Sequence, residues 1–346
     1  MLTAVGRVRL ARGYVAGPDG GHYPADRALG VDGYVTAAAA RMAVLAGARD
    51  SFARAAVALR ELAGWELDDE AIRRLTHAAA ARATATRAGR PDAGRFAAAA
   101  GAAEVQIDAG KVNTDTGWRD VKVAVLARRP AGAPAAPEDW ADRDLPAPTA
   151  RAVVAGVEDS DAFALRVRAE ADRLGVTAAA DVTVLADGAE WIWNLAADVV
   201  PQAAGVLDVY HAVEHVGAAV RAIWGETAEA AARRGAGRAA LVAEGKAGIE
   251  RWIADQFPAL PAGAAGAELY ALAAYLASHP THLDYAGRLA AGRSIGSGLV
   301  EGSIKQLVNR RLKLTGARWR VDHVGPLVEL GALIDTPDWH TFWSAA

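Results

Sequence analysis

V-T-V-L-A-D-G-A-E-W-I-W-N, residues 182 to 194, runs from a β-branched segment into an amphipathic helix and leaves one carboxylate, Asp187, where the period changes. Val182, Val184 and Leu185 read as a short buried strand, Gly188 lets the chain turn, and Trp191, Trp193 and Leu195 follow in a helix. A carboxylate at the carboxyl end of a buried strand is where mixed α/β enzymes often keep a metal ligand, and also where a helix takes its N-cap. The stretch therefore points to an α/β class. What Asp187 does depends on the groups that other parts of the chain bring to it.

Working outward, E-V-Q-I-D-A-G-K-V-N (104–113) puts Val105 and Ile107 on one face and ends its apolar part at Asp108. D-V-K-V-A-V-L-A-R-R (120–129) repeats the alternation, and T-D-T-G-W-R between them suits an antiparallel hairpin. A surface loop rich in Pro and Ala, holding Pro130, Pro134, Pro137, Pro146 and Pro148, precedes the strand-like R-A-V-V-A-G-V from residue 151. A helix with Phe163, Leu165, Val167, Ala171 and Leu174 on one face then leads to the strand of Asp187. The order is strand, strand, strand, helix, strand, with acids ending the first and fourth strands, which is the connectivity of an RNase H-like mixed sheet. Beyond it, A-G-V-L-D-V-Y-H-A-V-E-H (204–215) reads as a short strand and a helix, and helical patterning continues to about residue 290.

The 346 residues suffice for two domains, or for one domain with a large insertion. A net charge of -3 rules out a polycation, so any anion-binding surface must be local. The absence of Cys excludes disulfides and thiolate metal sites. Neither a signal-peptide core nor a run of 18 apolar residues occurs, so the expectation is a soluble, cytoplasmic protein with no membrane partner. At the N-terminus, R-V-R-L-A-R-G-Y-V (7–15) alternates and G-P-D-G-G (17–21) signals a turn, which predicts a small hairpin. Residues 36 to 85 turn helical, with Phe52, Ala55, Ala56, Leu59 and Leu62 on one face and Ile72, Leu75 and Ala79 on the next. The pair reads either as a helix-turn-helix with Arg73 and Arg74 facing DNA or as an ordinary helical hairpin. Arg233, Arg234, Arg238, Lys246 and Arg251 read as a solvated helix face.

Near the C-terminus, G-R-S-I-G-S-G-L-V-E-G-S-I-K-Q-L-V-N-R-R-L-K-L-T-G-A-R-W-R (292–320) opens a helix at a Gly-Ser turn, sets Glu301 in it, and continues with Lys305, Arg310, Arg311, Lys313, Arg318 and Arg320 beside Trp319. Cations without intervening acids, next to an indole, suit phosphate contacts plus base stacking. Trp193 and Trp224 are weaker stacking candidates that fit a packed core better.

D-A-G-K-V-N-T-D-T-G-W-R-D-V-K-V, L-A-D-G-A-E-W-I-W-N, V-L-D-V-Y-H-A-V-E-H and I-G-S-G-L-V-E-G-S-I-K-Q-L-V-N-R-R-L-K-L-T-G-A-R-W, in that order, resemble the DDE-type transposases of the ISKra family of bacterial insertion sequences. The resemblance runs from about residue 5 to the C-terminal W-H-T-F-W. It implies an acidic triad of Asp108, Asp187 and Glu301, an RNase H-like core, and a helical insertion between the second acid and the last. Asp208 and His211 match a D-x-x-H element that supports the site in related transposases. The implied division is a hairpin element over 1–35, resembling a zinc ribbon but without Cys, a helical, candidate DNA-binding region over 36–100, a first core part over 101–209, the insertion over 210–292, and over 293–346 the core's C-terminal helices with the last acid and the basic run. Relatives carry thiolates at the first element and often sequence upstream of it, so zinc is not expected here and recognition of DNA ends is the function most affected. Gly331 stands where relatives tend to have Arg.

Three carboxylates suit Mg²⁺ or Mn²⁺, which prefer oxygen ligands, and two such ions would serve strand cleavage and transfer. Asp108 is the expected bridging ligand, with Asp187 and Glu301 each holding mainly one ion. The implied partners are DNA, as element ends and target, and further copies of the chain, since two ends are processed together. A rival reading keeps DNA binding but not catalysis, as in a truncated remnant. Another takes His211, Glu214 and His215 as H-x-x-E-H, the inverted zinc-peptidase pattern.

Overall fold

The computed structural model describes residues 1–18, 20–261 and 266–344. Its centre is a mixed five-stranded sheet. Strands β1 (Ala102–Thr114) and β2 (Gly117–Arg129) form the expected hairpin, paired over their whole length from Ala102↔Arg129 to Thr114↔Gly117. The reversal is tight enough to need Gly117 at φ +98°, a conformation that side chains disfavour. Strand β3 (Ala150–Gly156) lies antiparallel to β2, while β4 (Val182–Ala186) and β5 (Ala204–Leu207) add in parallel on the other side, in the order β5-β4-β1-β2-β3.

Alternation assigns the two faces of this sheet. Val105, Ile107, Ala124, Leu126 and Val154 pack under helices α4 (Ser160–Arg173) and α5 (Glu190–Val199), which contribute Phe163, Val167, Ile192 and Leu195. Val112, Val121, Val123 and Val125 point the other way, against Val300, Ile304, Leu307 and Val308 on the C-terminal helix and Val324, Leu327 and Val328 on the next. Burial on both faces explains why V-K-V-A-V-L-A is apolar almost throughout.

The N-terminal region packs beside this core. Helices α1 (Ala37–Arg49), α2 (Phe52–Ala63) and α3 (Asp69–Ala85) bury Ala55, Ala56, Leu59, Trp65 and Ile72 together. Leu62, expected on that face, is 88% exposed, because the contact turns with Ala55 and Leu59 and leaves it on the solvent side. Leu165 is likewise exposed on α4, where Ala164 and Glu170 line the buried face in its place. The predicted N-terminal hairpin is divided: Val15–Gly17 pairs with Gly20–His22, while Gly6–Arg7 joins Leu2–Thr3, Val35–Thr36 and Val31–Asp32 in a small separate sheet, and Asp19 within the hairpin turn lies outside the described residues. Val8 and Leu10 are each 40% exposed in non-strand chain, since no sheet face covers them.

After β5 the chain is helical, with α6 (Val209–Trp224), α7 (Ala228–Gln256), α8 (Ala267–Ala277) and the short Tyr285–Ala290 gathered around Val216, Leu241, Ile249 and Leu272. Helix α7 is broken at Gly245, φ +57°, where a side chain would run into the Leu283 carbonyl. Among the described residues no helix is long and apolar enough to cross a membrane.

Candidate functional site

Parallel pairing aligns three carboxylates. Ala186 of β4 lies opposite Ile107 of β1 and Leu207 of β5, so Asp187 and Asp208, just past the ends of β4 and β5, are in register with Asp108, which is not the strand end expected from the sequence, because β1 runs on to Thr114 in its pairing with β2. Neighbouring strands are about 4.8 Å apart, and residues in register share a face. Asp108 therefore shares the sheet face of its partner Val123, the face that the C-terminal helices cover. Each acid is fixed by a local hydrogen bond. Asp108 Oδ1 accepts the N–H of Ala109 (2.6 Å), Asp187 Oδ1 that of Ala189 (2.9 Å), and Asp208 caps α6 by accepting the N–H of His211 (2.9 Å).

Glu301 arrives on helix α9 (Gly298–Ser303), which continues through a π-helical turn, Ile304–Asn309, to Leu312. Two buried polar side chains dock it. Gln106, two residues before Asp108 on the same face, accepts the N–H groups of Leu299 (2.9 Å) and Val300 (3.3 Å) at the helix start. Ser297 gives its N–H (2.5 Å) and hydroxyl (2.8 Å) to Asp208 Oδ2, and the same hydroxyl stands 3.2 Å from Glu301 Oε1.

Ligand atoms of Asp208, His211 and Glu301 lie within 4.8 Å of one another, a grouping that can hold a metal ion. Asp208 is fully buried, His211 half-buried and Glu301 exposed. Both Asp208 oxygens are already engaged, Oδ1 by the Nδ1 (3.3 Å) and N–H of His211 and Oδ2 by Ser297. Asp208 thus suits orienting His211 better than binding an ion. Asp108 and Asp187 stand outside this grouping, yet the second oxygen of each has no hydrogen bond among the described residues.

Electrostatics tie the five groups together. Burial, then the charges of Asp187 and Glu301, push Asp108 up to about 6, against the Ala109 hydrogen bond and the charge of His211. The hydrogen bond to Asp208, opposed by burial and helped by the charges of Asp208, Asp187 and Glu301, raises His211 to about 9. Burial works against the Asp208 carboxylate, but its bonds from His211 and Ser297 prevail and its pKa is lowered. One imidazolium therefore faces four carboxyl groups, an assembly short of positive charge.

The expected phosphate contacts divide. Lys305, Arg310 and Lys313 are exposed. Arg311, expected at the surface, is 4% exposed; its Nε and Nη2 donate to the Gly47 carbonyl (3.1 and 2.9 Å), and it lies 4.8 Å from the ring centres of both Phe52 and Trp319. Arg318 holds the β1–β2 turn through the carbonyls of Thr114 (3.2 Å) and Asp115 (3.0 Å), and Arg320 pairs with Asp322. Trp319 is pinned by its backbone to Asn113 and Asp115 and gives its indole N–H to Leu312 (2.9 Å), so its ring is part of the packing and not a free stacking surface. Arg73 is taken up by Glu70 (2.6 Å), while Arg74 is exposed. Trp193 stacks on His282 (4.2 Å) and donates to the Asp187 carbonyl (2.8 Å). His215 stacks on Tyr275 (3.9 Å) and has no place in the metal grouping, so the zinc-peptidase pattern gains no second histidine there.

Neither Gln106 nor Ser297 is among the site residues that the sequence patterns point to. The alternation Glu104, Gln106, Asp108 was the available signal for Gln106, since it sets three polar side chains in a row on a face otherwise bound for the core. No family model matches this chain, and neither does any curated protein.

Proposed function

We propose that the protein is a DDE-type transposase with an RNase H-like core, cutting and joining DNA strands at Asp108, Asp187 and Glu301. The observation that carries this reading is the register of Asp108 with Asp187 on adjacent parallel strands, in a sheet of order β5-β4-β1-β2-β3, with Glu301 docked onto the same strand through Gln106. The three acids are oxygen donors with capacity to spare, which fits Mg²⁺ or Mn²⁺. Bound there, such ions would supply Lewis-acid stabilisation of the phosphodiester and activation of water. Asp108, on the central strand of the sheet, would hold such ions together with Asp187 and Glu301.

His211 carries a distinct part of the mechanism. Asp208 holds its Nδ1, which leaves Nε2 as the end free to face a substrate. As an imidazolium it complements an incoming phosphate and holds a proton at Nε2 for the departing 3′-oxygen. Ser297 keeps Asp208 and Glu301 at fixed separation, so the acid from the helix and the acids from the sheet move as one unit. Lys305, Arg310 and Lys313 supply phosphate contacts on the exposed side of the same helical segment.

The experiment is strand cleavage of a labelled duplex carrying the element's own end, with Mg²⁺ or Mn²⁺, comparing wild type with Asp187→Ala. Metal-dependent nicking that disappears in the variant is the expected result. Binding without nicking in the wild type would leave a DNA-binding remnant, and neither activity would remove the DNA reading.

A further inference from the structure

A cleft of about 460 Å³ separates the N-terminal helices from the C-terminal basic loop, and the acidic centre uses none of its residues. Its walls bear Arg73, His77, Arg311, Arg318, Arg320 and His323. Two of these charges are matched, Arg73 by Glu70 and Arg320 by Asp322. Arg311 is not. It is buried between Phe52 and Trp319, spends Nε and Nη2 on one neutral carbonyl, and forms no ion pair among the described residues. Asp50 helps it only through its field, and burial lowers its pKa to about 10, so it remains charged at neutral pH. A buried cation without an anion is costly unless a ligand supplies one. Beside it the His77 and His323 rings meet at 3.9 Å, and His77 Nε2 is buried with no hydrogen-bond partner.

We propose that this cleft takes one phosphate of a DNA backbone and thereby fixes how far the bound duplex extends from the acidic centre. The inference rests on DNA being the substrate. A guanidinium suits a phosphate as a permanent charge, and Nη1 of Arg311, which makes no hydrogen bond among the described residues, is the donor left for it. The distance follows from the hairpin that joins the two places. Arg318 grips Thr114 and Asp115 at its tip, and Asp108 lies six residues back along β1. At about 3.3 Å per residue that is about 20 Å, or roughly six base pairs of duplex. The exposed Lys305 and Arg310 lie on the helix that connects Glu301 to Arg311, between the two ends of this span.

The test follows binding of a labelled duplex of unrelated sequence by fluorescence anisotropy over a salt series, using the full chain. The double variant R73Q/R318Q is compared with R168Q/R251Q, which removes two arginines paired with Asp198 and Glu244 elsewhere. The expected result is a log K against log salt slope shallower by about one unit in the first double and unchanged in the second. Equal slopes in the two overturn the proposal. Because Arg318→Gln also loosens the hairpin tip, the wild-type imidazole resonances of His77 and His323 are titrated with the same duplex and with inorganic phosphate. Movement with duplex at lower concentration than with phosphate supports the proposal, and no movement, or equal response to both, overturns it. Nicking is read separately. A wild type that shows these shifts but never nicks sinks the proposed catalysis and leaves the cleft, while nicking with equal slopes does the reverse.

Discussion

Two charged assemblies lean on the same sheet and follow opposite rules. Beside β3, Arg87 contacts Glu170 and Glu329 at 3.0 Å, Arg173 joins Glu170 to Asp92, and Arg166 joins Glu158 to Glu329. Nearly every charge there has an opposite neighbour, and Glu329 also accepts the Ala155 N–H and the Thr84 hydroxyl. Around the middle of β1 and the carboxyl ends of β4 and β5 the acids outnumber their one imidazolium. A balanced network spends its electrostatics inside the fold. An unbalanced one holds like charges together by the register of its strands, and keeps that tension available for a cation.

The comparison predicts that the two assemblies fail differently when cut. Asp187→Ala is expected to lower metal-dependent nicking by roughly 10³-fold or more, with a melting temperature equal to or above wild type because a repelling charge is gone. A variant that nicks normally, or one that unfolds, would break the contrast. Glu329→Ala should do the reverse, costing about 3 kcal/mol in chemical denaturation because it removes the buried carboxylate that joins Arg87 to Arg166 and leaves each with one partner, Glu170 and Glu158. A near-zero cost would show that the network is not holding α3, α4 and the C-terminal helices together.

Acid should loosen the balanced assembly first. Glu170 is buried, which opposes its charge, but Arg173 and Arg87 hold it at about 2 against an ordinary 4.5. Since its folded pKa is depressed, its contribution is complete above about pH 4.5 and is lost as pH falls toward 2, for a total of about 3 kcal/mol. Denaturation of Glu170→Gln across that window should lack this part of the slope, and a slope equal to wild type would reassign it.

The unbalanced assembly should answer to metal. Mg²⁺ or Mn²⁺ at about a hundred times its dissociation constant is expected to stabilise the wild type by about 2.7 kcal/mol and to leave Asp108→Asn nearly unmoved, read as a melting shift. Equal shifts in both would place the ion elsewhere. The smallest effect is expected at Ser297→Ala, a drop in nicking of about 10-fold that reflects looser positioning of Asp208 and Glu301. Unchanged activity there would mean that the helix is held by Gln106 alone.

Local chemistry made much of this readable from the chain. Period-two alternation marked β1 and β2, a β-branched apolar run marked β4, and the change of pattern after Ala186 marked Asp187, because these signals are properties of neighbouring residues. The helical stretch after residue 208 was legible for the same reason. What escaped were partners far apart in sequence. Gln106 caps a helix 194 residues away, and Ser297 joins an acid 89 residues before it to another four residues after it. Arg311 and Trp319 read as an exposed run because a cation beside an indole has the same composition whether solvated or enclosed, and packing against Phe52 and Gly47 set Arg311 into the wall of a cleft instead. The sequence by itself determined which residues are strand, helix and strand end, since those follow from short-range periodicity. The tertiary structure decided which charges face one another uncompensated and which are spent on the fold, because that depends on strand register and helix docking over long separations.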